Sequence, residues 1–101
     1  MYIAMNRFSV TEGREEEFKR TWRERDSYLD DVPGFKQFAL LRGEARDGIT
    51  LFVSYSEWES HDAFVAWTKS EAFRLAHRDA RTPKGVLQGH PQFEGFAVVE
   101  L

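Results

Sequence analysis

From Tyr2 to Val10 the chain alternates with period two: Tyr2, Ala4, Asn6 and Phe8 fall on one side, Ile3, Met5, Arg7 and Ser9 on the other. That is strand periodicity. Thr11-Glu12-Gly13 carries turn chemistry, and the period then changes. Between Arg14 and Leu29, the residues Phe18, Trp22 and Leu29 form a helical stripe, with Glu15, Glu16 and Glu17 in the first turn and Lys19, Arg20, Arg23 and Arg25 after them. This charge order suits the helix macrodipole, and Pro33-Gly34 sets the latest stop. Two aromatic and β-branched runs follow, Phe35 to Leu41 and Ile49 to Trp58, joined by Gly43 to Gly48; they predict a hairpin with a loose loop. Ser56 to Ser60 offers cap chemistry for a helix from about His61 to Trp67, and Thr68-x-x-Glu71 has capping-box spacing before Phe73. A helix broken near Thr68 to Ser70 and ending before Pro83 is the simplest reading. Thr82 to Gln92, with two Pro and two Gly, reads as a loop, and Phe93 to Leu101 as a closing strand.

The order β-α-β-β-α-β is the split-βαβ, ferredoxin-like plan of the α+β class, and residues 1–101 read as a single domain. In this plan both helices cover one face of a four-stranded antiparallel sheet. Large apolar groups nevertheless occupy both parities: Leu51, Val53 and Tyr55 against Phe52 and Trp58, and Phe93, Ala97 and Val99 against Phe96 and Val98. The second face also wants burial, which predicts a homodimer with an apolar interface; scattered exposed aromatics are the plainer alternative.

Composition narrows the function. The chain has 101 residues, 42% apolar, 15% aromatic and 31% charged. A domain of this size, with a radius of gyration near ~13 Å, has few residues to spare for a deep private pocket. Its 14 basic and 17 acidic side chains are spread along the chain, leaving no footprint for nucleic acid or anionic lipid. There is no Cys, which removes disulfides, thiolate nucleophiles, iron–sulfur ligation and Cys-based zinc sites, and fits a reducing compartment. Met1 to Val10 lacks a basic n-region and a small-residue cleavage pattern. The longest apolar run falls far below the roughly 18 to 20 residues that cross a bilayer, so the expectation is a soluble cytoplasmic protein with no membrane partner.

Three residues stand out as candidates for chemistry. His77 shares a helical stripe with Phe73, Ala76 and Ala80 and so is expected to face the core. Such a His is ordinarily a hydrogen-bonded structural residue; the alternatives are a metal ligand or a general base. No neighbour at those offsets is a carboxylate, and nothing nearby completes a zinc set. Asn6 is an amide in a strand, on the side of Tyr2, Ala4 and Phe8. It either satisfies a backbone group or aims a donor into a ligand cavity. Trp67 pairs with Phe64 at helical spacing and reads as core when taken alone. On a straight helix Trp67 and His77 would be about 15 Å apart along the axis and roughly 80° apart in azimuth. Only a large flat ligand would meet both, particularly across a bend near Thr68 to Ser70.

The chain resembles the IsdG-type haem-degrading monooxygenases of the antibiotic-biosynthesis-monooxygenase superfamily. The matching stretches are Ala4-Met5-Asn6-Arg7-Phe8, Val32-Pro33-Gly34-Phe35, and the segment from Trp67 to His77. Val-Pro-Gly-Phe is shared widely in the superfamily, whereas a strand Asn plus Trp-x-x-Ser-x-x-Phe-x-x-Ala-His marks the haem-degrading branch. The resemblance implies a dimeric α+β barrel in which haem (heme) is both cofactor and substrate, with O2 and electrons from an external donor, a reductase, opening the ring and freeing iron. It implies that His77 is the axial ligand to haem iron and that Trp67 presses the porphyrin out of plane. Asn6 would hydrogen-bond on the distal side to the iron-bound oxygen species. Phe73 would join the rings lining the pocket. Arg74, Arg78 and Arg81 form an i, i+4, i+7 row beside His77, either reaching the two propionates or forming a solvated helix face. The loop Thr82 to Gln92 would lie over the open edge of the pocket, mobile without haem. His61 and His90 read as surface residues. Two other classes share the fold: a cofactor-independent monooxygenase of quinols or polyketides, and a non-catalytic haem carrier.

Overall fold

The computed structural model describes residues 1–25, 27–78 and 82–101, with the side chain of Arg78 left out. The elements are β1 (Tyr2–Thr11), α1 (Glu15–Glu24), β2 (Phe35–Arg46), β3 (Ile49–Trp58), α2 (His61–Thr68), α3 (Glu71–Arg78) and β4 (Gln92–Ala97). The strands form one antiparallel sheet in the order β2-β3-β1-β4. This is the ferredoxin-like order expected, with β1 and β3 central. The radius of gyration is 14.2 Å.

Local chemistry sets each boundary. Thr11 to Arg14 turns the chain into α1, where the Glu15 carboxylate accepts the Gly13 N–H at 2.8 Å and the Thr50 hydroxyl at 2.7 Å. Arg14 closes a bidentate pair with Glu17. Helix α1 is shorter than the stripe suggested: Arg25 already has extended backbone (φ −95°, ψ 140°). Leu29 nevertheless reaches the core, from the irregular segment after the helix.

The loop of the β2–β3 hairpin is tight, not loose. Asp47 and Gly48 both have positive φ, 54° and 79°, the geometry of a two-residue hairpin turn. Strand β2 therefore runs on to Arg46, with a register shift between Arg42 and Ala45 absorbing the extra residue. Gly34 does different work: its φ is +82°, a Cβ there would sit 2.5 Å from that of Ala63, and its carbonyl accepts the Glu59 N–H. The Val-Pro-Gly-Phe turn thereby presses against α2.

The break between α2 and α3 occurs where expected, with a different cap. The Ser60 hydroxyl accepts the Ala63 N–H and starts α2. Ser70, not Thr68, starts α3: its hydroxyl accepts the Phe73 N–H at 3.2 Å and donates to the Trp67 carbonyl at 2.6 Å. Thr68 turns back to the Val65 carbonyl, so the expected capping box does not form.

Between sheet and helices lie two hydrophobic clusters. One joins Val10, Phe18, Phe52 and Val86, each at most 1% exposed. The other joins Ala4, Leu29 and Trp58, with Phe35, Phe64 and Trp67 packed on it. Val86 comes from the loop expected to be mobile, and that loop is tied down at its middle. The Thr11 N–H donates to the Val86 carbonyl, the Gln88 N–H to that of Ser9, and Leu87 bridges Val10. Strand β4 stops at Ala97, four residues before the expected end, with the Val98 N–H making one further bond to the Met1 carbonyl at 2.9 Å.

Candidate functional site

The two clusters do not meet. On the helix-facing side of the sheet, Phe8 pairs with Phe52 and Ala4 with Ser56; between them lies the register pair Asn6 and Ser54. These are small and polar, and no core side chain fills the space above them. A cavity of about 400 Å³ opens there, lined by Asn6, Phe8, Trp22, Arg25, His77 and Leu87 among others. A narrower chamber of about 70 Å³ continues beneath α2, lined in part by Asn6, Trp22, Arg25, Phe64, Trp67 and His77. Four residues are common to both: Asn6, Trp22, Arg25 and His77.

The three candidate residues, remote in sequence, thus line one continuous space. Asn6 lies on central strand β1 and lines both chambers, and its side-chain amide bonds to no described residue. Trp67 lies in the last turn of α2 and is packed among Trp58 at 5.1 Å, Phe73 at 4.8 Å and Phe64 at 6.0 Å between ring centroids. Its Nε1 is buried without a hydrogen-bond partner. The break at Lys69–Ser70 folds α3 back, so the Trp67 and His77 rings lie 6.2 Å apart, far closer than on a straight helix.

His77 does not face the core. It is exposed at the cavity mouth, while its neighbour Ala76 takes the buried position at 2%. The reason is that α3 packs chiefly on α2, which turns the His77 row toward the opening. The ring stacks on Phe73, with 4.0 Å between centroids, and Nδ1 lies 2.8 Å from the Phe73 carbonyl oxygen. That carbonyl only accepts, so Nδ1 is the donor in this contact, and in a neutral ring Nε2 would then keep its lone pair, as in a metal-ligating imidazole. On its outer side His77 also lines a shallow cleft of about 650 Å³ with Lys69, Phe73 and Arg74. Among the described residues no group of three His, Asp or Glu side chains converges, so His77 is a lone nitrogen donor.

Of the arginine row, Arg74 is 60% exposed in its side chain and doubly bonded to Glu71. The Glu71 carboxylate raises its pKa, and this partner already occupies its fork. The Arg78 side chain and Arg81 lie outside the described residues. From the loop, Thr82 and Pro91 line the cavity, whereas His61 is exposed and stacks edge-on against Tyr2, and His90 is exposed.

Sequence reasoning missed Arg25 and Trp22. The Arg25 guanidinium lies 4.4 Å above the Trp22 ring, its Nε is buried with no partner, and burial lowers its pKa. The signal is present: Arg25 follows Trp22 by three residues on the stripe of Phe18, but its place after the acidic first turn equally suits the macrodipole.

The slot between α-helices and antiparallel sheet thus brings together an amide, an imidazole and the indoles of Trp22 and Trp67, and the sequence places the chain in a class. Residues 1–79 match the family described as antibiotic biosynthesis monooxygenase, and the chain belongs to that family. It is 27% identical over 99 residues to a heme-degrading monooxygenase of Halalkalibacterium halodurans, covering 98% of this chain and 84% of that one. Among solved structures it is similar to the heme degrader MhuD of Mycobacterium tuberculosis with two hemes bound in its active site. There the identity is 25% and the TM-score 0.74, covering 99% of this chain and 97% of that one. SnoaB, a cofactor-independent oxygenase from Streptomyces nogalater, shares the fold at 18% identity and TM-score 0.64, covering 99% and 95% of the two chains.

Proposed function

We propose that this protein is a haem-degrading monooxygenase that binds haem in the slot between helices and sheet, opens the porphyrin ring with O2 and external electrons, and releases iron. The observation carrying this reading is the convergence of Asn6, Trp67 and His77 on one space, with His77 Nδ1 engaged by the Phe73 carbonyl so that Nε2 is the nitrogen left for a ligand. The space suits the ligand in three respects. Its main chamber lies within the roughly 300 to 1,000 Å³ of cofactor pockets. It opens at the mouth, where a polar edge can reach water. Its orphaned donors, Trp67 Nε1 and Arg25 Nε, have no hydrogen-bond partner among the described residues.

Haem supplies the redox iron and is itself the carbon skeleton consumed. The protein's own part is to hold it. His77 presents Nε2 from α3, oriented by the Phe73 carbonyl, and Phe73 stiffens the ring by stacking. Trp67, backed by Trp58 and Phe64, cannot retreat and would press on a flat ligand seated against it. Asn6 holds its amide on the sheet side, where an N–H can stabilise charge developing on an oxygen.

The second face of the sheet supports the homodimer. Ile3, Met5, Leu51, Val53 and Tyr55 are only half-buried, and Leu41 and Phe96 are 44% and 45% exposed. Among the described residues no helix covers them, and a second copy packed face to face would complete the barrel. No helix among the described residues is long and apolar enough to cross a membrane, and we place the reaction and its reductase in the cytoplasm.

Haemin titration tests the reading. A Soret band at near 1:1 stoichiometry is expected, altered in His77→Ala and bleached with iron release under air and ascorbate. No band in the wild type, or an unchanged band in His77→Ala, overturns it in favour of a cofactor-independent oxygenase of quinols or polyketides. A band that survives air and reductant indicates a haem carrier.

A further inference from the structure

The narrow chamber beneath α2 measures about 70 Å³, well short of the roughly 300 Å³ at which small-molecule pockets begin, yet polar groups face it. Ser54, on central strand β3, lines it at only 7% exposure, and its hydroxyl bonds to no described residue. The next serine on that face is committed: the Ser56 hydroxyl accepts the Trp58 Nε1–H at 2.9 Å and donates to the Ala4 carbonyl at 3.4 Å. Ser54 is the register partner of Asn6 across β1 and β3, which sets the two Cβ atoms about 4.5–5.5 Å apart on one face. Hydroxyl and amide are thus near enough to share one water. Trp67 Nε1, a donor only, lines the same chamber, buried and without a partner. The walls from Leu29, Phe38 and Phe64 supply no side-chain acceptor. Leaving such groups dry is unfavourable. Water has the chemistry that fits: it accepts from an indole while donating to a hydroxyl or an amide oxygen. About two molecules, at ~30 Å³ each, fill the chamber, and each finds the two to four polar partners that a buried water needs.

We propose that the narrow chamber is a hydration site and that Ser54, through the water held there, orients the Asn6 amide. Its Oδ1 accepts on the chamber side, which leaves the NH2 group facing the main chamber. The two ends of an amide are nearly equal in shape, so without such a partner either end can turn to the slot. Ser54 is therefore a positioning residue, acting through Asn6. The role of Asn6 in turnover rests on the haem reading; the hydration site does not.

The test compares Ser54→Val with Ser54→Thr, two side chains of similar volume that differ by the hydroxyl. In nitrogen-labelled wild-type protein without haem, NMR magnetisation transfer from long-lived water should reach the Trp67 indole N–H and the Asn6 side-chain N–H groups. Ser54→Val should abolish both signals and Ser54→Thr should keep them. With haem added, Ser54→Val should lower turnover by about tenfold, as for misplacing one oriented donor, with haem Kd within about twofold of wild type; Ser54→Thr should restore most of the rate. The double variant Asn6→Ala/Ser54→Val should turn over no more slowly than Asn6→Ala, because residues that act through one another are not additive. If Ser54→Val fails to fold, Ser54→Ala removes the hydroxyl without adding bulk and is expected to show the same losses. No water signal at the Trp67 indole of wild type, Thr behaving as Val, or losses that multiply in the double variant overturns the proposal while the haem reading stands. Haem left intact by wild-type protein overturns the haem reading alone, since the water signals are read without haem.

Discussion

The layer between helices and sheet has a closed end and an open end, built from the same strands a few residues apart. At the closed end, Val10, Phe18, Phe52 and Val86 pack with essentially no exposure, and the nearby polar groups are bonded. Glu15 meets Thr50 and Gly13, and Thr11 donates to the Gly85 carbonyl. At the open end, the residues from Asn6 to Trp67 surround empty space and leave Arg25 Nε and Trp67 Nε1 unpaired. Unsatisfied polar groups are unfavourable for folding. Their concentration at one end indicates that the closed end carries the stability and the open end is shaped for something outside the chain.

The largest break in this comparison should come from Phe18→Ala. Phe18 is 1% exposed and touches the rings of Phe8, Trp22 and Phe52. Its truncation is expected to cost about 3–5 kcal/mol in urea unfolding, a large share of the ~5–15 kcal/mol available to a domain. A loss below about 1 kcal/mol would remove the distinction between the two ends.

The opposite pattern is expected at Asn6. Asn6→Ala deletes an amide with no partner among the described residues, so unfolding free energy should change by less than about 1 kcal/mol. Haem should still bind, while turnover falls by roughly tenfold or more, as for loss of one oriented donor. Full turnover in Asn6→Ala would count against its place in the chemistry. An intermediate effect belongs to Gly34, whose added methyl would collide with Ala63 at positive φ. Gly34→Ala should cost about 1–3 kcal/mol, whereas Gly89→Ala, with equally positive φ and nothing within 4 Å, should cost less. Equal melting points for the two variants would show that the contact with α2 is unimportant.

Strand and helix order was legible because period two and period 3.6 are local signals, and so was the helix break at Ser70. The hairpin loop was misjudged because Asp47-Gly48 is a complete turn by itself and the polar residues before it are strand. The direction of His77 was misread for a different reason. The stripe Phe73, Ala76, His77 fixes which residues share a face, but not what that face meets, and α3 meets α2. Arg25 was hidden because a cation near a helix end looks electrostatically ordinary until the backbone is seen to turn it inward. Tertiary placement, absent from periodicity, decided both.

The smallest effect, and the one most confined to the closed end, should be a pH dependence carried by Glu15. Its side chain is 15% exposed, and the Thr50 hydroxyl, with the backbone N–H groups at the start of α1, holds its pKa below the usual carboxylate value. Thr50 is itself fully buried, so the bond anchors the helix start to β3. A carboxylate whose pKa is lower in the folded chain adds stability that is present above its unfolded pKa of about 4.3 and is lost as pH falls through the folded value. Glu15→Gln should therefore melt below wild type at pH 7, with the gap closing as the pH is lowered past 4. Thermal melts of both proteins from pH 7 to pH 3 measure this directly. A gap independent of pH would mean that Glu15 acts by packing alone. A gap that tracks haem affinity would tie it to the open end, where among the described residues no carboxylate lines either chamber.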